Sequence, residues 1–179
     1  MMVWLADALR AEGLDVDEID GWRTNGDGDF DDIWGIICHH TAGDDVSPAT
    51  VSRGTPERPG PLSNVLIRRD GTVAVVAAGV ARHAGPGYHE DLPHTDVDAR
   101  TVGVHAELHG HQKYPREQYL SYVRCCAAIL RHINEPASHV LGHQEWNTAK
   151  RDPCLSMDQL RADITAHLNS YVQAASRVR

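Results

Sequence analysis

Lysine is almost missing from this chain. Lys113 and Lys150 are the only two in 179 residues, and arginine supplies the rest of the 17 basic side chains. Against 25 acidic residues this leaves a formal net charge of -8 at pH 7. There is no basic stripe to displace counterions from phosphate, which excludes nucleic acid as a partner. Nor is there a general attraction to an anionic wall or membrane surface, so such a target has to be gripped by local chemistry. Cysteine is limited to Cys38, Cys125, Cys126 and Cys154. With adjacent Cys125 and Cys126 in a helix-like stretch and no secretory context, all four read as reduced, buried thiols. A chain of this length can build a core without disulfides. The longest apolar run, residues 73–81, is too short to cross a bilayer. The first residues lack the basic and apolar segments of a signal peptide. The expectation is a monomer made in the cytoplasm, without membrane insertion.

The periodicity describes a mixed α/β chain. Trp4, Leu5, Ala8 and Leu9 recur at helical spacing before Gly13, a C-terminal cap. The turn-rich patch 24–29 carries acidic residues but lacks the full spacing and closing glutamate of a calcium loop, and reads as a solvated turn. Residues 33–38 form a continuous apolar run, as in a strand buried on both faces. A long Gly/Pro/Ser-rich loop follows, with one helical turn near Pro48. Two β-rich runs flank Arg68-Arg69-Asp70-Gly71, a hairpin signal. Residues 101–108 alternate, with Val102, Val104, Ala106 and Leu108 on one side and Gly103, His105 and Glu107 on the other. Helices are predicted over 115–133 and 156–171, the second opened by a capping box of Ser156 with Gln159. The fold class is therefore α/β, a central mixed β-sheet flanked by helices. Residues 1–30 are a helix and turn-rich lead-in to the same domain, 31–173 the main body, and 174–179 a tail or linker.

Twelve histidines dilute any argument from one. His89, His94, His109, His111, His132 and His167 read as surface or helix residues. His39 and His143 differ, because each ends an apolar segment beside small residues and polar loops. Catalytic zinc takes three protein ligands and keeps a fourth position open, and His39, His143 and Asp152 supply such a set. Asp152, before Pro153, is held extended or in a turn, which suits a ligand on a loop. It equally suits a residue that only opens the turn towards Ser156.

Five stretches taken together resemble the zinc-dependent N-acetylmuramoyl-L-alanine amidases, the group that includes phage endolysins and peptidoglycan recognition proteins. They are Ile37-Cys38-His39-His40-Thr41-Ala42, the hairpin from Asn64 to Val73, Arg82-His83-Ala84-Gly85, Gly142-His143, and Lys150-Arg151-Asp152-Pro153. The likeness reads closest to endolysins of phages infecting actinobacteria. It implies Zn2+ held by His39, His143 and Asp152, with Cys154 as the rival third ligand, and Lys150 stabilising the oxyanion. His40, Thr41, Asn64, His83 and Trp146 are implied to contact substrate, a muramyl peptide of bacterial peptidoglycan. The implied reaction is hydrolysis of the amide between N-acetylmuramic acid and L-alanine, on the cell wall after release from a host cytoplasm. The chain departs from the pattern where many relatives carry a general-base glutamate and it reads Gly103-Val104-His105, and where some carry a tyrosine and it has Ser63. Either His105 or Glu107, acting through a water, replaces that base, with His105 favoured. A non-catalytic peptidoglycan-binding module and a cytoplasmic amidase recycling muropeptides are the alternatives.

Overall fold

In a computed structural model of the chain, the described residues are 1–41, 43, 46–109 and 112–176. Ala42, His111 and the end of the tail, 177–179, lie outside them. The elements in order are α1 (Leu5–Ala11), β1 (Val16–Glu18), β2 (Gly35–His40), α2 (Pro48–Arg53), β3 (Gly54–Thr55), β4 (Arg58–Pro59), β5 (Val65–Ile67), β6 (Val73–Val75), β7 (Thr101–Ala106), α3 (Arg116–Ile133), β8 (Val140–Gly142), α4 (His143–Trp146) and α5 (Met157–Ser176). Six strands form one mixed sheet in the order β1-β6-β5-β7-β2-β8, and β3 with β4 makes a separate small hairpin.

Only the β5–β6 pair of the main sheet is antiparallel. Its loop is longer than a two-residue turn: Gly71 N–H bonds to Arg68 O at 3.0 Å and Arg68 N–H to Thr72 O at 2.8 Å. The parallel strands β5, β7, β2 and β8 bring their carboxyl ends to one edge, where ligands of open α/β sheets bind. β2 lies between β7 and β8, and its first five residues are buried. That is why its sequence is an unbroken apolar run rather than an alternation.

The two faces of the sheet are covered differently. Ile36, Cys38, Val65, Val75, Val102 and Val104 share one core with α1, α3 and α5. Ile37 and Leu66 instead belong to two smaller clusters under α2 and the loops. α1 ends as predicted at Gly13, whose N–H bonds to Arg10 O while Leu14 N–H reaches Leu9 O. Ser156 caps α5 through Gln159 N–H at 3.3 Å, but the Gln159 side chain turns to Asp163, so only half of the capping box forms.

The patch at 24–29 is a largely exposed turn, as expected, and it is also strapped to the chain that follows β6. Asp27 N–H bonds to Val80 O at 2.9 Å, Gly79 N–H to Asn25 O at 2.9 Å, and Val80 N–H to Gly28 O at 3.1 Å. Its carboxylates pair with cations, Asp27 with Arg82 and Asp29 with the N-terminal ammonium.

Candidate metal centre

His39 is carried on β2, paired in register with His105 of β7. On the other side Cys38 pairs with Gly142, so His143 follows directly from the end of β8. Asp152 returns from the loop after α4, where its carbonyl accepts Gln144 N–H at 2.9 Å and Tyr114 donates to Pro153 O at 2.7 Å. Three elements thus deliver His39 Nδ1, His143 Nδ1 and an Asp152 carboxylate oxygen to one point. The separations are 3.0 Å between the two nitrogens, and 3.0 and 2.9 Å from each to Asp152.

What lies behind the rings fixes which nitrogens carry protons. A carbonyl only accepts, so His83 Nε2, 3.1 Å from Thr101 O, is protonated and His83 Nδ1 is bare. His39 Nε2, 3.1 Å from that bare nitrogen, therefore carries the His39 proton. By the same reasoning His143 Nε2–H donates to Ala84 O at 3.0 Å. In the neutral imidazoles both Nδ1 lone pairs then face the Asp152 carboxylate. Three acceptors within 3.0 Å of one another repel unless a cation lies between them. Tetrahedral zinc spaces its ligand atoms about 3.3 Å apart, so a few tenths of an ångström of relaxation would seat it. Among the described residues these three are the group that could hold a metal ion.

The protonation states of His39 and Asp152 match that donor set. Burial pushes the His39 imidazole down to about 3, against the opposing effect of Asp152. Burial also lowers His83 and carries His105 well below the usual histidine range, with His39 and His83 adding to the effect on His105. For Asp152 burial acts upward, but the neighbouring His143 and His39 act downward and outweigh it, and the carboxyl is ionised. Neutral imidazoles and an ionised carboxylate are what a hard or borderline dication binds.

The cluster sits in a cavity of about 390 Å3, lined also by His40, Thr41, Lys150, His105, Arg58 and Arg82. His105 stacks on His39 with ring centroids 4.3 Å apart and 9° between planes. Its Nδ1 is buried with no partner, leaving Nε2 as the nitrogen that meets the cavity. The Lys150 side chain is exposed at the mouth. His40 and Thr41 reach the same cavity, with the Thr41 hydroxyl also accepting Leu108 N–H at 3.1 Å.

Residues 29–154 match the family described as N-acetylmuramoyl-L-alanine amidase. The chain belongs to that family. Solved structures agree on the amidase fold. The endolysin amidase LysCS of Clostridium intestinale is 18% identical with a TM-score of 0.64, covering 83% of this chain and 94% of that one. A selenomethionine derivative of AmpD is 18% identical with a TM-score of 0.67, over 84% and 95%. AmiD of E. coli, solved with anhydro-N-acetylmuramic acid-L-Ala-D-gamma-Glu-L-Lys, is 19% identical with a TM-score of 0.62, over 76% and 59%. Curated proteins give no match.

Within this amidase fold, four of the residues expected at the site stand elsewhere. Glu107 lies beyond the end of β7, and its carboxylate accepts Arg69 N–H at 3.4 Å in the hairpin loop, outside the cavity. Asn64 is fully buried and consumed by the main chain, donating to Ala77 and Gly79 carbonyls and accepting Gly103 N–H. Trp146 is a core residue, 2% exposed, with its indole N–H on Gly85 O. Cys154 turns its thiol to Arg151 O and is not part of the three-ligand group. Ser63 is buried and donates to Gly103 O at 2.7 Å.

His83 does line the cavity, but its ring backs His39, in space that Gly103 leaves open: a Cβ there would be 2.7 Å from the imidazole. Tyr122 of α3 went unnoticed in the sequence. Its hydroxyl accepts His39 N–H at 2.9 Å and lies 2.9 and 2.7 Å from the carbonyls of His39 and Val104. It fixes the backbone of a ligand from the far side of the sheet.

Proposed function

We propose that the chain is a zinc-dependent hydrolase of bacterial peptidoglycan. It cleaves the amide between N-acetylmuramic acid and L-alanine of the stem peptide, and acts as a phage endolysin that reaches the wall after synthesis in the host cytoplasm. The observation that carries this reading is the pair of histidine relays aiming two bare nitrogens at an ionised carboxylate. His39, His143 and Asp152 would hold the ion. Zinc in such a set supplies Lewis acidity towards the scissile carbonyl and a lowered pKa for water.

The remaining work falls to side chains of this chain. His105, held neutral beside the cluster, accepts the proton of the attacking water, and later returns it to the departing alanine nitrogen. Lys150 brings an ammonium to the cavity mouth, where negative charge develops on the carbonyl oxygen. Arg58 and Arg82 add positive charge to the same wall, which suits a peptide rich in carboxylates. A module that only bound peptidoglycan would have no use for the ligand set together with Lys150.

The deciding experiment treats purified cell walls with the protein, with and without a chelator, and follows turbidity and new amino termini. Release of free L-alanine amino groups without new reducing ends, abolished by the chelator and restored by zinc, is expected. Binding to walls with no bond cleavage would sink the proposal. Activity on soluble muropeptides but not on intact sacculi would replace the endolysin role with a recycling one.

A further inference from the structure

A second cavity, of about 530 Å3, adjoins the first. The two meet at Arg82, which lines both; His83 faces the metal ligands, while Gly85 and Pro86 line the second space. Their charges are opposed. Among the described residues, Arg58, Arg82 and Lys150 line the first with one carboxylate, Asp152, whereas Asp27, Asp29, Asp96 and Asp98 line the second with Arg82, the N-terminal ammonium pairing with Asp29. A peptide arm carrying carboxylates is drawn into the first and repelled from the second.

The rim of the second cavity carries an aromatic platform. Tyr88 is 62% exposed, and His94 stacks on it at 5.1 Å with 25° between planes. The backbone beneath Tyr88 is clamped. Its N–H bonds to Trp146 O at 2.9 Å, Asn147 donates to Pro86 O at 2.8 Å, and a Cβ on Gly87 would come within 2.4 Å of Trp146. A large aromatic presented on a fixed main chain loses little entropy when it binds. The cavity is also tied to the metal end, because the Asp98 carboxylate accepts the N–H groups of His83 at 3.3 Å and Ala84 at 2.9 Å.

We infer that this cavity, with the Tyr88–His94 stack at its rim, binds neutral amino-sugar units of the glycan strand adjoining the muramic acid whose peptide is cut. The inference rests on the peptidoglycan reading above and adds a sugar site to it. Sugar rings offer hydroxyl and amide protons that carboxylates accept, and a C–H face that packs on an aromatic ring. The volume lies in the range of small-ligand sites, roughly 300–1,000 Å3. Charge then sorts the two arms of one substrate, peptide on the arginine side of Arg82 and saccharide on the aspartate side.

The test uses chitotetraose, a neutral N-acetylglucosamine tetramer without peptide, titrated calorimetrically against the full chain. Hydrolysis of intact walls and of a muramoyl dipeptide is measured alongside. Chitotetraose is expected to bind, and Tyr88→Ala to weaken it about tenfold. The same variant should raise KM for walls, relative to KM for the muramoyl dipeptide, by a similar factor. His94→Ala should give a smaller loss in the same direction. Hydrolysis without saccharide binding, or equal affinity in wild type and Tyr88→Ala, overturns the sugar site and leaves the amidase reading intact. Saccharide binding that depends on Tyr88, without hydrolysis of any muramoyl peptide, supports the site and sinks the amidase reading. If Asp96→Asn weakens a lysine-containing muramoyl peptide while chitotetraose ignores Tyr88, the cavity is an amine site and the inference fails.

Discussion

His39 and His105 stand opposite one another on β2 and β7 and stack ring on ring, yet only His39 has a hydrogen-bonded partner behind it. Behind His39 runs a relay through His83 to the Thr101 carbonyl; behind His105 Nδ1 there is nothing. A supported imidazole has a fixed tautomer and a fixed lone pair, which is what holding an ion requires. An unsupported one is neutral by burial but free to exchange tautomers, and any charge it takes up is poorly stabilised. That suits brief possession of a proton rather than permanent ligation.

Breaking the comparison is simplest at its two rings. His39→Ala should abolish bound zinc and drop wall hydrolysis below about one thousandth of wild type, read by elemental analysis and by turbidity. His105→Ala should keep stoichiometric zinc while lowering kcat by about a hundredfold, the low end for a general base. If both variants lose zinc alike, the distinction drawn between the two rings is wrong. Glu107→Ala belongs in the same pH–rate series and should run close to wild type; a larger loss there than in His105→Ala would reverse the assignment of the base. Lys150→Ala should lower kcat by about a hundredfold, or roughly 3 kcal/mol of barrier, with zinc retained. Unchanged kcat would remove the ammonium from the mechanism.

The support itself can be tested more gently. His83→Phe fills the same space but accepts nothing from His39 Nε2, and should weaken zinc between about 10- and 100-fold in a competition titration. Unaltered affinity would show that the relay does not hold the ligand. Tyr122→Phe removes one hydroxyl and leaves His39 N–H without its acceptor in a buried seam. A loss of about 1–3 kcal/mol in denaturant unfolding is expected. A variant as stable as wild type would mean that the seam closes without the hydroxyl.

The contrast between these groups also explains what could be read in the sequence. His39 and His143 were legible because each ends an apolar run, and Asp152 because the family motif around it, Lys150-Arg151-Asp152-Pro153, resembles that of the third ligand. The sheet and the helix over 116–133 followed from local periodicity, as did the last helix up to residue 171; it runs on to Ser176, into the stretch expected to be a tail. β1 escaped notice because its partner, β6, is more than fifty residues away and nothing local marks the pairing. Asn64 and Trp146 were misplaced for one reason. Polar and aromatic residues inside a motif invite a substrate role, whereas their partners here are main-chain carbonyls fixed only by the fold. His83 belongs with them, since its place depends on the missing side chain of Gly103, twenty positions further along the chain on β7. Tyr122 was lost among apolar neighbours on the buried stripe of α3.

Both relays behind the ligands finish on the polypeptide itself, at the oxygens of Thr101 and Ala84. Peptide oxygens have no pKa in the working range and cannot be exchanged by point mutation. The aim of the two nitrogens is thereby insulated from surface chemistry. An engineer could swap the walls around the cavity to retarget the cut, so long as those two short lengths of chain keep their course.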